Sequence, residues 1–337
     1  MNNDMKQLVN KSPITVGQVC AVIVTYNRKE YLKKLIEGLH RQTYSLSAIL
    51  IFDNCSSDGT DEMIYNYGCF NDIKSGILQE SKNSDTTMYY YKNTFNSGGA
   101  GGFHSAIKIA LNFKYEYLWI MDDDVVPEEN CLEELMKFMS DEAKVCIPSR
   151  TDDKFQDYAI TKFNMRNPFL YHITSRKTKI KSSEIRDEFI EVVDMPFEGP
   201  LFSISVIKEI GLPQKDFFII FDDTEYARRA SKITKIRYIP SAVLHKQIIP
   251  QQTSNSLMGW KDYYGYRNQI WYDRTYGENI FVRYMRPILL ITELLLKAII
   301  KRKWSNIYIL HAAYRDGTHG NLGKTVDPLT FKTGYKG

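Results

Sequence analysis

The chain has 337 residues, enough for one large domain or two ordinary ones, and 43% of them are hydrophobic, so it can bury a substantial core. A formal net charge of only +4 gives a whole-molecule field too weak to argue for nucleic acid as a partner. Neither a disordered nor a fibrous chain has this composition.

Residues 1–17 are polar and lack the apolar centre of a secretory signal, so they read as a short leader. Residues 18–25, QVCAVIVT, form a β-branched run expected to be a buried parallel strand. Leu32, Leu35, Ile36 and Leu39 then fall on one face of a helix predicted over 28–43. A second apolar run over 48–52 ends at Asp53-Asn54 and the turn-rich CSSDGT. The pattern repeats with a strand at 87–91, a glycine-rich loop at 96–103, a helix at 104–113 and a strand at 117–121 that ends in acid. Such alternation predicts an α/β fold with an open, mostly parallel sheet, whose ligands sit beyond the carboxyl ends of its strands.

Residues 151–191 are polar and match no recognisable motif. Organisation returns at 194–207 and at 217–230, where FFIIF breaks into DDTEYARRA and the acids suit a helix N-terminus. A boundary is expected at 253. Beyond it, residues 254–337 form an aromatic and basic helical region. Cys20, Cys55, Cys69, Cys131 and Cys146 show neither a CxxC pair nor zinc spacing, which fits a reduced, cytoplasmic setting.

Three clusters carry chemistry. In YLWIMDDDVVP, Asp122, Asp123 and Asp124 emerge from a buried strand, and adjacent carboxylates repel one another unless a cation intervenes. Magnesium and manganese take such oxygen ligands, commonly together with substrate phosphates. The bland alternative is a solvated acidic turn. In NSGGAGGF, the backbone at Asn96, Gly98 and Gly99 could approach a phosphate, although a ligand-free packing turn would look the same. In FDDTEYARRA the paired acids could include a general base, and His245 follows fifteen residues after that segment, at the end of the apolar stretch SAVL.

Taken together, VTYNR, FDNCSSDGT, the DDD run and the FDD segment resemble a family 2 glycosyltransferase of the GT-A fold, over residues 19–245. NSGGAGGF, MDDD, FDDTEYARRA and the late histidine further resemble its galactofuranosyltransferase-like branch, whose donor is UDP-galactofuranose. The resemblance implies a GT-A catalytic domain over 18–253. It implies that Thr25, Tyr26, Asn27 and Arg28 border the nucleotide and that Asp53 accepts a hydrogen bond from uracil. It implies that Asp122 and Asp124 meet ribose, pyrophosphate and a Mn2+ or Mg2+ ion that His245 completes, with Asp123 beside the nucleotide sugar. Asp223 would be the base of a single inverting displacement on a hydroxyl of a lipid-linked or polysaccharide acceptor in bacterial surface glycan synthesis.

Trp260 is expected to help exclude water from the acceptor pocket, and Glu198, in PFEGP, either meets acceptor hydroxyls or caps a loop. Residues 280–304 join an apolar body to Arg283, Arg286, Lys301, Arg302 and Lys303, the make-up of a helix lying in a membrane interface or of one packed on the catalytic domain. The first option puts the protein at the inner face of the cell membrane. The glycine-punctuated tail that follows reads as a turn-rich ending. Rhamnose transfer from dTDP-rhamnose and a non-catalytic sugar-nucleotide-binding protein remain as alternatives, and a homo-oligomer is left open.

Overall fold

The computed structural model describes residues 17–68, 70, 72–81, 86–249 and 257–328. The leader, apart from Gly17, and the boundary expected at 253 lie outside the described residues. The elements run β1 (Gly17–Thr25), α1 (Lys29–His40), β2 (Ala48–Asp53), α2 (Thr60–Gly68), β3 (Leu78–Ser81), β4 (Thr87–Lys92), α3 (Gly98–Ala110), β5 (Tyr115–Asp122), β6 (Val125–Pro127) and α4 (Cys131–Lys137). They continue as β7 (Val145–Ser149), β8 (Tyr158–Phe163), β9 (Lys177–Lys181), β10 (Ile190–Val192), β11 (Glu198–Ser203), α5 (Ile204–Ile210), α6 (Asp222–Ala230) and β12 (Ile236–Lys246). Three helices close the chain: α7 (Trp260–Tyr276), α8 (Arg286–Ile300) and α9 (Trp304–His319).

Among the described residues one sheet has the order β10-β12-β7-β11-β5-β1-β2-β4-β3, with β6 added on β12. Strands β5, β1, β2 and β4 are parallel, whereas β11 runs antiparallel between β5 and β7. The sheet is therefore mixed and mostly parallel in its first half. Because side chains alternate along a strand, β1 sends Cys20, Val22 and Val24 to the core under α3, and Val19, Ala21 and Ile23 to the core under α1. Both faces are covered, which is why the strand reads as an uninterrupted apolar run. Helix α1 buries the expected Leu32, Leu35, Ile36 and Leu39.

Register sets the site. Thr25 pairs with Asp53, and Val24 pairs with Asp122, so β1, β2 and β5 end side by side with polar residues at one rim. Strands β8 and β9 form a separate hairpin from the stretch that carried no motif.

Two expectations are corrected. The glycine-rich stretch is not a loop before a helix, because α3 begins at Gly98 and the glycines are its first turns. Gly102 lies under Val24, where an added Cβ would come within 2.6 Å of that side chain, so small size allows the helix onto β1. The tail turns only at its end, where Gly320 and Gly323 take positive φ past α9 as expected; Gly317 instead sits inside α9, where a Cβ would come within 2.6 Å of the Arg267 carbonyl on α7. Glycine here permits close helix packing rather than a turn.

The closing helices are locked by a buried ionic triad. The Asp273 carboxylate receives Arg176 at 2.7 and 2.9 Å and Arg286 at 3.1 Å, and all three side chains are wholly buried. Arg286 therefore belongs to the interior and not to a lipid-facing basic rim. Each arginine also donates to backbone carbonyls, such as those of Leu170 and Asn167, while Arg286 Nε is left without a partner.

Candidate active site

The end of β1 at Thr25 and the three residues after it make the first wall. Asn27 takes a left-handed conformation (φ 53°), its amide donates to Ser56 Oγ at 2.9 Å, and its side chain accepts from the Ser57 amide at 2.7 Å. The turn is thus tied to the loop after β2. Asp53 organises that loop: it is wholly buried and accepts from the Ser56 amide at 2.7 Å and from the Tyr90 hydroxyl at 2.6 Å. Both oxygens are engaged within the protein, so in this arrangement Asp53 shapes the wall and does not present itself to a base. Tyr26 and Asn27 are the exposed members of the turn, and Arg28 is half-buried.

The three acids after β5 are treated unequally. Asp123 accepts from Thr25 Oγ1 at 2.6 Å and from Arg28 at 2.9 Å, and the same guanidinium lies 3.1 Å from Asp124. Arg28 thereby partly neutralises two of the acids. Asp122 feels Arg28 only as its weakest influence. Burial first, then the charges of Asp124, Asp123 and Glu198, hold its carboxyl well above the ordinary carboxylate range. The loop is clamped from the far side by Gln247, whose amide donates to the Asp124 carbonyl at 2.7 Å.

Asp122 and Asp124 offer the oxygen donors that a hard divalent ion takes. The third expected ligand is not brought to them. His245 Nδ1 lies 3.0 Å from Asp152 and Nε2 lies 3.1 Å from Glu128. Among the described residues no group of three histidine, cysteine or carboxylate side chains could hold a metal unaided. His245 could join only by leaving one of its two carboxylates.

The start of α3 contributes differently from expectation. Gly98 has φ +76°, and a Cβ there would fall 2.1 Å from the Phe218 carbonyl oxygen, so this glycine is required by contact and conformation together. Gly99 faces open space. Asn96 accepts from the Gly98 amide at 2.8 Å, and Asn54, given no role from the sequence, donates to the Gly98 carbonyl at 2.9 Å and accepts from Ser97 at 2.8 and 3.0 Å. Asn54 thus ties α3 to the end of β2.

Asp223 is presented by an unusual segment. Phe218, Ile220 and Phe221 all have positive φ (65°, 66° and 78°), which is costly for bulky and β-branched side chains. The segment is held by α7: Asn268 Nδ2 lies 2.8 to 3.1 Å from the carbonyls of Phe217, Ile219 and Ile220, and Arg267 donates to Phe217 O at 2.9 Å. Helix α6 then starts at Asp222 with both acids in its first turn. Burial, then the neighbouring acid Asp194, raises Asp223, while burial and Asp223 raise Asp222. Glu198 adds a smaller upward push to both Asp122 and Asp223. Asp223 opens onto a cavity of about 250 Å³.

Two expected acceptor residues are placed elsewhere. Glu198 is clasped by Arg150 at 2.7 Å and Lys246 at 2.6 Å, and although burial opposes ionisation, these two cations hold its carboxyl below the ordinary range. It is a fixed charge between strands, not a free acceptor of sugar hydroxyls. Trp260 packs edge-on against Tyr264, 6.2 Å between ring centres, and does not line the cavity beside Asp223. Arg150, Lys246, Asn268 and Gln247 carry no sequence signal; only the fold gathers them.

A family model described as "Glycosyl transferase family 2" matches residues 20–211. The chain belongs to glycosyl transferase family 2. Relatives include galactofuranosyltransferase GlfT1 of Mycolicibacterium smegmatis, 21% identical over 63% of this chain and 64% of the relative. GlfT1 of Mycobacterium tuberculosis is 24% identical over the same shares. The match thus spans a little under two thirds of these relatives' own length. Abequosyltransferase RfbV of Salmonella typhimurium is 30% identical over 39% of this chain and 35% of its own. Among solved structures, mannosyltransferase PcManGT of Pyrobaculum calidifontis, in complex with GDP-Man and Mn2+, superposes with a TM-score of 0.53 at 14% identity, over 91% of this chain and 90% of that one. GalNAc-T7 with UDP, GalNAc and Mn2+ gives 0.52 at 13% identity, over 76% and 47%. At these identities the likeness establishes the fold, which is GT-A.

Proposed function

We propose that this chain transfers a sugar from a nucleotide-diphosphate donor to an acceptor hydroxyl with inversion, and that the sugar is galactofuranose from UDP-galactofuranose. The observation that carries the reading is the pairing of an acid-rich rim at Asp122–Asp124 with a raised carboxylate, Asp223, at the mouth of a cavity. Similarity to the GlfT1 proteins supports the donor. The similarity to an abequosyltransferase keeps a deoxyhexose donor, such as dTDP-rhamnose, as the second reading.

In this reading the turn from Thr25 to Arg28 borders the nucleotide, with Asp53, Asn96 and Gly98 fixing the walls and the open backbone at Gly99 facing the diphosphate. Asp122 and Asp124, with His245 once it exchanges a partner, would hold a Mn2+ or Mg2+ ion. That ion, when bound, neutralises charge growing on the departing diphosphate. Asp123, locked to Thr25 and Arg28, keeps the turn closed on the rim. Asp223 takes the proton from the acceptor hydroxyl as its oxygen attacks the anomeric carbon from the face opposite the leaving group, so one displacement inverts the centre. Its elevated pKa makes it a stronger base than an ordinary carboxylate at neutral pH.

The acceptor is a lipid-linked or polysaccharide chain in surface glycan synthesis, met by a protein resting on the membrane through α8 and α9. Incubating the protein with UDP-galactofuranose or dTDP-rhamnose plus manganese, and measuring nucleotide release, tests the reading. Release from UDP-galactofuranose alone is expected; release from neither would sink it.

A further inference from the structure

The cavity beside Asp223 is walled largely by the stretch that carried no motif, in the β8–β9 hairpin and at Phe155 and Asp157, together with Arg150 and residues 194–196. Within it lies Asp194, only 8% exposed. Lys177 Nζ sits 2.5 Å from its Oδ2, while Oδ1 has no hydrogen-bond partner. A buried carboxylate oxygen left unpaired is unusual, because such groups nearly always find a donor. At the rim stands Tyr158, 42% exposed, with its ring 5.6 Å below Lys179 Nζ.

The lining fixes the ligand's chemistry. Its cations, Arg150, Lys177 and Lys179, equal in number its anions, Asp157, Asp194 and Asp223. With no net field to select an ion, the cavity favours a neutral molecule rich in hydroxyl donors. A volume of about 250 Å³ can take one sugar ring.

We propose that this cavity binds the acceptor's terminal sugar residue, with Asp194 Oδ1 accepting a hydrogen bond from a ring hydroxyl and Tyr158 covering an apolar C–H face. The neighbouring hydroxyl is then the one that meets Asp223. The inference rests on the reading of Asp223 as the base, but binding at Asp194 can be measured without any donor.

Saturation-transfer NMR on the full chain, with methyl galactofuranoside, methyl galactopyranoside, methyl rhamnoside and methyl mannoside as probes, tests it. Saturation of at least one glycoside is expected, with affinity falling about tenfold or more in Asp194→Asn, since a hydrogen bond to a charged group is lost. A smaller fall is expected in Tyr158→Ala, whose exposed side chain can be removed without disturbing the core. An Asp194→Asn/Lys177→Gln double variant, which leaves no unpaired lysine, should bind as weakly as Asp194→Asn. No saturation of any probe, or unchanged binding in Asp194→Asn and Tyr158→Ala, overturns the proposal. Glycoside binding that depends on Asp194 without release of nucleotide from any donor would keep this site and remove the transferase reading. Donor consumption with binding indifferent to both residues would do the reverse.

Discussion

Asp223 carries the sharpest prediction. Its carboxyl is pushed up to about 6 by burial and then by Asp194. A base works only when ionised, so activity should fall as pH drops through that value, by about tenfold per unit below it, and be flat above it. A pH–rate profile whose acid limb lies in the ordinary carboxylate range, two units lower, would remove Asp223 from this role. Asp223→Asn should abolish transfer while leaving nucleotide affinity nearly unchanged by calorimetry. His245→Ala should weaken the manganese titration; an unchanged curve would leave the histidine as a tie between Glu128 and Asp152. The acids were legible in the sequence because carboxylates after apolar runs are conspicuous. Their unequal state was not, since it depends on Arg28 reaching Asp123 and Asp124 across 95 and 96 positions of chain, and on Glu198 being claimed by two distant cations.

At the scale of elements, β1, α1, β2, β4 and β5 fall where the apolar pattern put them, whereas the short α2, β3, β6 and α4 carried no periodic signal that was read. The glycines misled, because Gly98, Gly102 and Gly317 mark close approach between elements, and the partner in each contact is remote in sequence. The segment Phe218–Phe221 was also hidden, as nothing in FFIIF announces left-handed backbone. Its support on α7 predicts that Asn268→Leu lowers kcat severalfold more than it raises KM for the donor, since the donor's walls are built from other elements. Equal changes in both, measured by steady-state kinetics, would argue against it. Gly98→Ala should destabilise the fold by more than about 1 kcal/mol, as both strain and a clash with Phe218 follow.

Across the whole molecule, the three C-terminal helices are joined to the catalytic body by the Arg176–Asp273–Arg286 triad. Asp273→Ala would strand two buried guanidinium groups and should cost about 3–5 kcal/mol, read as a fall in denaturation midpoint. No helix among the described residues is long and apolar enough to cross a membrane. Yet Phe281, Ile300, Trp304 and Tyr308 are each about 60% or more exposed, beside Lys301, Arg302 and Lys303. Flotation with anionic liposomes is therefore expected, weakened by salt and lost in an Ile300→Glu/Trp304→Glu variant; equal flotation of both forms would remove the membrane contact. The basic cluster was visible in the sequence, but Arg286 was wrongly included, because its burial is decided by Asp273 on another helix. That exposed ridge also has a kinetic consequence. A protein held by it searches for a lipid-linked acceptor by diffusion in two dimensions, so turnover would follow the acceptor's mole fraction in the bilayer and fall on dilution with inert lipid at constant bulk concentration.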